Sequence, residues 1–170
     1  RFRWGMASQR LRNSSNVRWS PFSSGGTSER GEIGRLGEEM ATARGKLAVT
    51  IVIASLSTGD TQRDALLRDA DLFNVAKHPQ AQFKVEKLAP SQQGRVTLDG
   101  VLTLRGVAKR LRIAATLLPD VSAKPRTVIL RGETTLNRLE FGIGQGEWKS
   151  TEWVADAVQV RFALRFVAGK

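Results

Sequence analysis

The sequence predicts an all-β fold: a closed antiparallel β-barrel of about eight strands with one short helical insert. Three observations predict it. Long segments alternate apolar and polar residues with period two, the mark of strands that bury one face. Clusters of Gly, Pro, Asn and Asp of hairpin length separate those segments. Only one stretch, about 61–75, shifts to helical spacing, and no parallel βαβ unit or internal repeat is visible. Closure is the natural outcome for a chain of long strands, because a closed sheet leaves no edge unpaired.

In chain order, residues 1–12 read as an N-terminal tail, part of it an addition to the natural domain, and 13–170 as a single domain. Val17–Phe22 is a short strand candidate. In 47–53, Leu47, Val49, Ile51 and Ile53 share a face. The helical segment follows, with Asp60 or Thr61 as its N-cap, Leu66, Leu67 and Ala70 as its apolar residues, and Asp71–Val75 as a further turn. Pro79 stops it. Phe83–Leu88 is a second short strand. Then come Val96, Leu98, Gly100, Leu102 and Leu104 on one face, and Leu111, Ile113, Ala115 and Leu117 on the next. Val128, Leu130, Gly132, Thr134 and Leu136 follow, and Val158, Val160, Phe162, Leu164 and Phe166 close the series. Gly100 and Gly132, inside strand patterns, mark bends or bulges and leave space on the inner wall.

Composition narrows the chemistry. The 170 residues carry 27 Lys and Arg against 16 Asp and Glu, a formal net charge of +11, with no Cys and one His. That excludes disulfides, thiolate metal sites, thiol nucleophiles and multi-His metal sites. The excess positive charge admits an anionic partner. No stretch reaches the roughly 20 apolar residues of a spanning helix. No uncleaved signal peptide opens the chain.

Four motifs stand in order: Ser55-Leu56-Ser57-Thr58 with Arg63-Asp64; Asp71-Leu72-Phe73-Asn74-Val75 through Pro79-Gln80-Ala81-Gln82-Phe83; Leu102-Thr103-Leu104-Arg105-Gly106-Val107-Ala108-Lys109; and Asn137-Arg138-Leu139-Glu140-Phe141-Gly142. Together they resemble the YceI-like family, and Ser15-Asn16-Val17-Arg18-Trp19 resembles that family's first strand. The resemblance implies a lipocalin-like barrel that binds a long apolar molecule (a polyisoprenoid, an isoprenoid quinone or a fatty acyl amide) without transforming it. It also implies export to the bacterial periplasm, the cytoplasm being the alternative, and a role in transport or stress response. No cofactor is expected beyond a bound isoprenoid-type lipid, and no catalytic or metal residues. Expected partners are the lipid, a second copy of the chain and membrane redox proteins.

The expected cavity lining is Val49, Ile51, Ile53, Phe83, Leu102, Leu104, Leu111, Ile113, Leu117, Val128, Leu130, Phe141, Phe162 and Leu164, each readable equally as plain core. Leu66, Leu67 and Phe73 on the insert would close one end. Asn137 and Arg138 are head-group candidates, with Arg138 alternatively paired to Asp64 or Asp71. His78 reads as a solvated turn residue, and Asp60, Asp64, Asp69 and Asp71 as caps and surface pairs. The rival is a basic barrel that binds nucleic acid through Lys109, Arg110, Arg112 and the N-terminal arginines. It lacks the interleaved surface aromatics that base stacking needs, so no specific nucleic acid is expected.

Overall fold

The computed structural model describes residues 48–56, 60–119, 127–152 and 154–167. The proposed tail, the 17–22 strand and the start of the 47–53 segment lie outside them. The described residues form one six-stranded antiparallel sheet in strict meander order: β1 (Ala48–Val52), β2 (Gln80–Pro90), β3 (Arg95–Leu104), β4 (Val107–Pro119), β5 (Thr127–Asn137) and β6 (Ala157–Val167). The sheet curls around one apolar face. Among the described residues six strands curl into a half-barrel, with β1 and β6 at its edges; the eight-stranded closure expected from alternation reaches beyond those residues.

Alternation orders the wall as period two demands. On β3, Val96, Leu98, Gly100, Leu102 and Leu104 are all buried while the residues between them are half-buried. Ile113, Ala115 and Leu117 on β4 and Val128 and Leu130 on β5 continue that face. On β2 the period slips once. Glu86 and Lys87 both face water and the register with β3 shifts between Val85 and Lys87, a bulge that returns Leu88 to the core. The β3–β4 turn has two residues, Arg105 and Gly106, at φ +50° and +76°. That is the twist-matched type I′ geometry, with Arg in the first left-handed position.

The insert is shorter than its spacing suggests. Helix α1 spans Thr61–Arg68, and residues 69–77 are turns. Asp60 caps it, its Oδ1 accepting from the backbone N–H groups of Gln62 at 2.9 Å and Arg63 at 3.1 Å. The helix ends at Asp69, whose backbone is extended at φ −63° and ψ 163°, and beyond it the amides of Phe73 and Asn74 bond back to Leu67 and Asp69, with Asn74 at φ +47°. Ile53 belongs to a 3-10 turn after β1, not to the strand.

Candidate functional site

Two regions carry the predicted residues: the inner wall of the sheet and the cap at one end of it. On the wall the lining divides by burial. Leu98, Leu117, Leu130 and Phe141 are fully enclosed by other side chains, and Val49, Ile53, Phe83, Leu102, Leu104, Ile113 and Val128 are buried with them. Ile51, Leu67, Phe73, Leu111, Phe162 and Leu164 are half-buried and pack against that core. The first set is core. The second set is apolar surface left partly exposed on that core.

The two strand glycines are filled rather than hollow. A Cβ on Gly100 would lie 2.9 Å from Cζ of Phe83, and one on Gly132 would lie 2.5 Å from Cζ of Phe162. Each ring covers the neighbouring glycine, so the space read as ligand room is taken by an aromatic side chain. Leu66 also departs from expectation. It is 43% exposed on the outer side of α1, because Leu67 and Leu72 supply the inward contacts of the insert.

The cap is built from three segments: the insert, the Arg105–Gly106 turn and residues 138–152. The Arg105 guanidinium donates to the carbonyls of Gly142 and, at 2.6 Å, Ala70. The amides of Gly144 and Gln145 both donate to the Asp71 carbonyl at 2.8 Å. His78 is half-buried against Gly106, where a Cβ would stand 2.9 Å from its Cε1, so it is a packed residue and not a solvated one. Leu72, Phe141 and Ile143 complete the cap's apolar underside.

Arg138 holds this cap together. It is 5% exposed. Its Nε donates to Ala155 O at 3.1 Å, Nη1 to Ile143 O at 3.0 Å and Trp148 O at 2.7 Å, and Nη2 to Ser150 O at 3.2 Å and Val154 O at 2.9 Å. All five guanidinium N–H groups are thereby engaged. The head-group role and the pairing with Asp64 or Asp71 are both corrected: the charge is solvated by backbone carbonyl dipoles of the 143–155 segment.

Asn137 differs from its neighbour. It is exposed, and its Nδ2 donates to Glu140 Oε1 at 3.0 Å. The other Glu140 oxygen lies 2.9 Å from Lys109 Nζ. Lys109, with Asn137 second, holds the Glu140 carboxyl below its ordinary value of 4.5. Sequence reasoning placed Lys109 in a basic surface cluster. The signal it overlooked is parity, because Lys109 shares the inward register of Val107, Leu111 and Ile113.

Three arginines on the outer face of the sheet are paired with carboxylates. Arg110 meets Glu86 at 2.7 Å, Arg112 meets Asp99 at 2.6 Å, and Arg161 meets Glu133 at 3.3 Å. Arg112, through its hydrogen bond, holds the Asp99 carboxyl below its ordinary value. The rings of Phe83 and Phe141 are buried, and those of Phe73, Trp148 and Phe162 pack against the core.

Comparison with known proteins settles the family, since residues 12–166 match the family described as YceI-like domain. This chain belongs to the YceI-like family. Among curated relatives, a protein named YceI from Escherichia coli O6:H1 is 38% identical over 81 residues, 48% of this chain and 42% of the relative. A protein from Ectopseudomonas mendocina is 38% identical over 75 residues, 44% of this chain and 39% of the relative. These matches thus span less than half of the relatives' own length. Among solved structures, BcnA of Burkholderia cenocepacia superposes with a TM-score of 0.66 at 31% identity, covering 71% of this chain and 73% of that one. The YceI protein of Campylobacter jejuni gives a TM-score of 0.66 at 23% identity over 72% of each chain, a likeness of fold.

Proposed function

We propose that this YceI-like chain is a non-enzymatic carrier for a long apolar lipid of the isoprenoid type, its tail lying along the inner wall of a sheet that closes into a barrel. The observation that carries the reading is the half-buried apolar set on a curled sheet: Ile51, Leu111, Phe162 and Leu164, beneath a cap contributing Leu67 and Phe73. Such a surface suits a hydrocarbon tail, where each methylene removed from water contributes roughly 0.8 kcal/mol and needs no polar partner. The proposed compartment is the periplasm. The pairing of Lys109, Arg110 and Arg112 with carboxylates supports this reading over the nucleic-acid alternative, which relies on unpaired cations and exposed rings.

The test places a bulky side chain on the half-buried set, since the enclosed Leu130 would overpack and unfold. Leu111→Trp should keep the parent's β-sheet circular dichroism and weaken binding of an isoprenoid alcohol such as farnesol at least tenfold. A folded Leu111→Trp that binds farnesol as tightly as the parent would remove the tail from the inner wall and end this reading. Mass spectrometry of the intact protein from its own host would weigh the ligand it carries.

A further inference from the structure

The β4–β5 ladder is incomplete. It runs from Pro119↔Val128 to Ala115↔Gly132 and stops, while β3–β4 pairs from Arg95↔Thr116 to Leu104↔Val107 and β5–β6 from Thr127↔Val167 to Asn137↔Ala157. Residues 110–114 of β4 and 133–137 of β5, which would pair if the register continued, form no ladder pairs. Three anchors explain the divergence. The Arg105–Gly106 turn ties the start of β4 to β3. At the other side, Arg138 N donates to Asp156 O at 2.9 Å and Leu139 N to Asp156 Oδ1 at 2.9 Å, drawing the end of β5 towards β6. At the point of divergence the Phe162 ring covers Gly132.

The seam so formed has apolar walls and a polar mouth. Leu111 and Leu136, which would oppose each other if the ladder continued, are half-buried within it, with Phe162 at its closed end. Lys109 shares their inward register, and its ammonium reaches Glu140 on the turn that follows β5, with Asn137 on the second carboxylate oxygen. A cation, an anion and an amide thus stand together where the β4–β5 ladder stops short.

From this we infer that the seam holds the ligand's head group, and that Lys109, Asn137 and Glu140 select an uncharged hydroxyl or carbonyl head over an anionic one. The inference rests on the carrier reading of the same wall. The trio offers N–H donors from Lys109 and Asn137 and a carboxylate acceptor from Glu140, and its charges cancel. A hydroxyl head can donate to Glu140 and accept from Lys109. A phosphate or carboxylate head would meet Lys109 already neutralised and Glu140 repelling it. Tail contacts alone would not discriminate between heads.

The experiment compares farnesol with farnesyl monophosphate as displacers of the neutral dye N-phenyl-1-naphthylamine from the full chain, at low salt. The reading is the ratio of the two affinities in each variant. Glu140→Gln should move that ratio towards the phosphate by about fivefold, and Lys109→Met should move it towards the alcohol by a similar factor, the scale of a half-exposed charge pair. Opposite signs from two variants that keep the parent's β-sheet circular dichroism are not produced by a general loosening of the sheet. Ratios unchanged in both variants, with both ligands still displacing the dye, would overturn the head-group assignment and leave the carrier reading standing. If neither compound displaced the dye from the parent, the carrier reading itself would fall.

Discussion

Replacing Arg138 by Met keeps an unbranched apolar stem and removes all five N–H donors at once. Of the five carbonyls it serves, those of Ser150 and Ala155 belong to exposed residues and can turn to water. Those of Ile143, Trp148 and Val154 belong to buried or half-buried residues and are stranded. A buried acceptor left unpaired costs about 1–3 kcal/mol. Three such losses give about 3–9 kcal/mol. Relief of the desolvated charge offsets several kcal/mol of this, as does relaxation of the 143–155 segment. The expected net loss is about 3–5 kcal/mol. With a urea dependence of about 2 kcal/mol per molar, the unfolding midpoint should fall by about 2 M. Equilibrium urea unfolding followed by tryptophan fluorescence measures this directly, since Trp148 lies within the affected segment. Arg138→Lys retains the charge but offers three donors from one point, so it should recover only about half of the loss. If Arg138→Met unfolded within about 0.5 kcal/mol of the parent at unchanged slope, the cap would not depend on this side chain.

Three further outcomes are expected. Gly132→Ala should destabilise by about 1–3 kcal/mol because its Cβ meets the Phe162 ring, and Phe162→Leu in the same chain should recover part of that loss, which thermal melts of the single and double variants will show. Leu66→Ser, at an exposed position, should leave stability within about 0.5 kcal/mol, whereas Leu72→Ala beside it in the insert should cost about 2–4 kcal/mol; equal losses would mean that α1 presents a different face. Lys109 and Asn137 lower the Glu140 pKa, so the stabilisation from this trio is fully present above pH 4.5 and disappears as pH falls through the lowered value of the folded state. The melting-temperature gap between the parent and Glu140→Gln should therefore be visible at pH 7 and close in strong acid, and a gap that widened in acid would contradict the trio.

The strands from β2 to β6 were legible because their inward residues recur every second position. Even the β2 bulge had a written sign, two consecutive charged residues, Glu86 and Lys87, between the apolar Val85 and Leu88. The start of α1 was legible from Asp60, whose carboxylate is the acceptor that an N-terminus needs. Its end was not. Leu72 and Phe73 keep helical spacing past Arg68, and the break depends on the extended backbone of Asp69 and on backbone bonds that spacing does not express. Arg138 was misread for a related reason: its partners are backbone carbonyls, which every residue possesses, so no side-chain pattern points to them. The seam was hidden as well, because alternation fixes which face a residue takes and says nothing about how far two strands remain paired.

The meander has a consequence for assembly. Among the described residues every strand pairs only with its neighbour in the chain, so from β2 to β6 the entropy of loop closure stays small at each step. The two-residue turn at Arg105–Gly106 makes β3 and β4 the shortest closure of all. For a polypeptide released gradually, from a ribosome or through a translocation pore, each strand after β2 emerges beside a partner already in place. β1 is the exception. Its edge waits while residues 53–79 pass, and during that interval the chain is most exposed to pairing with a stranger.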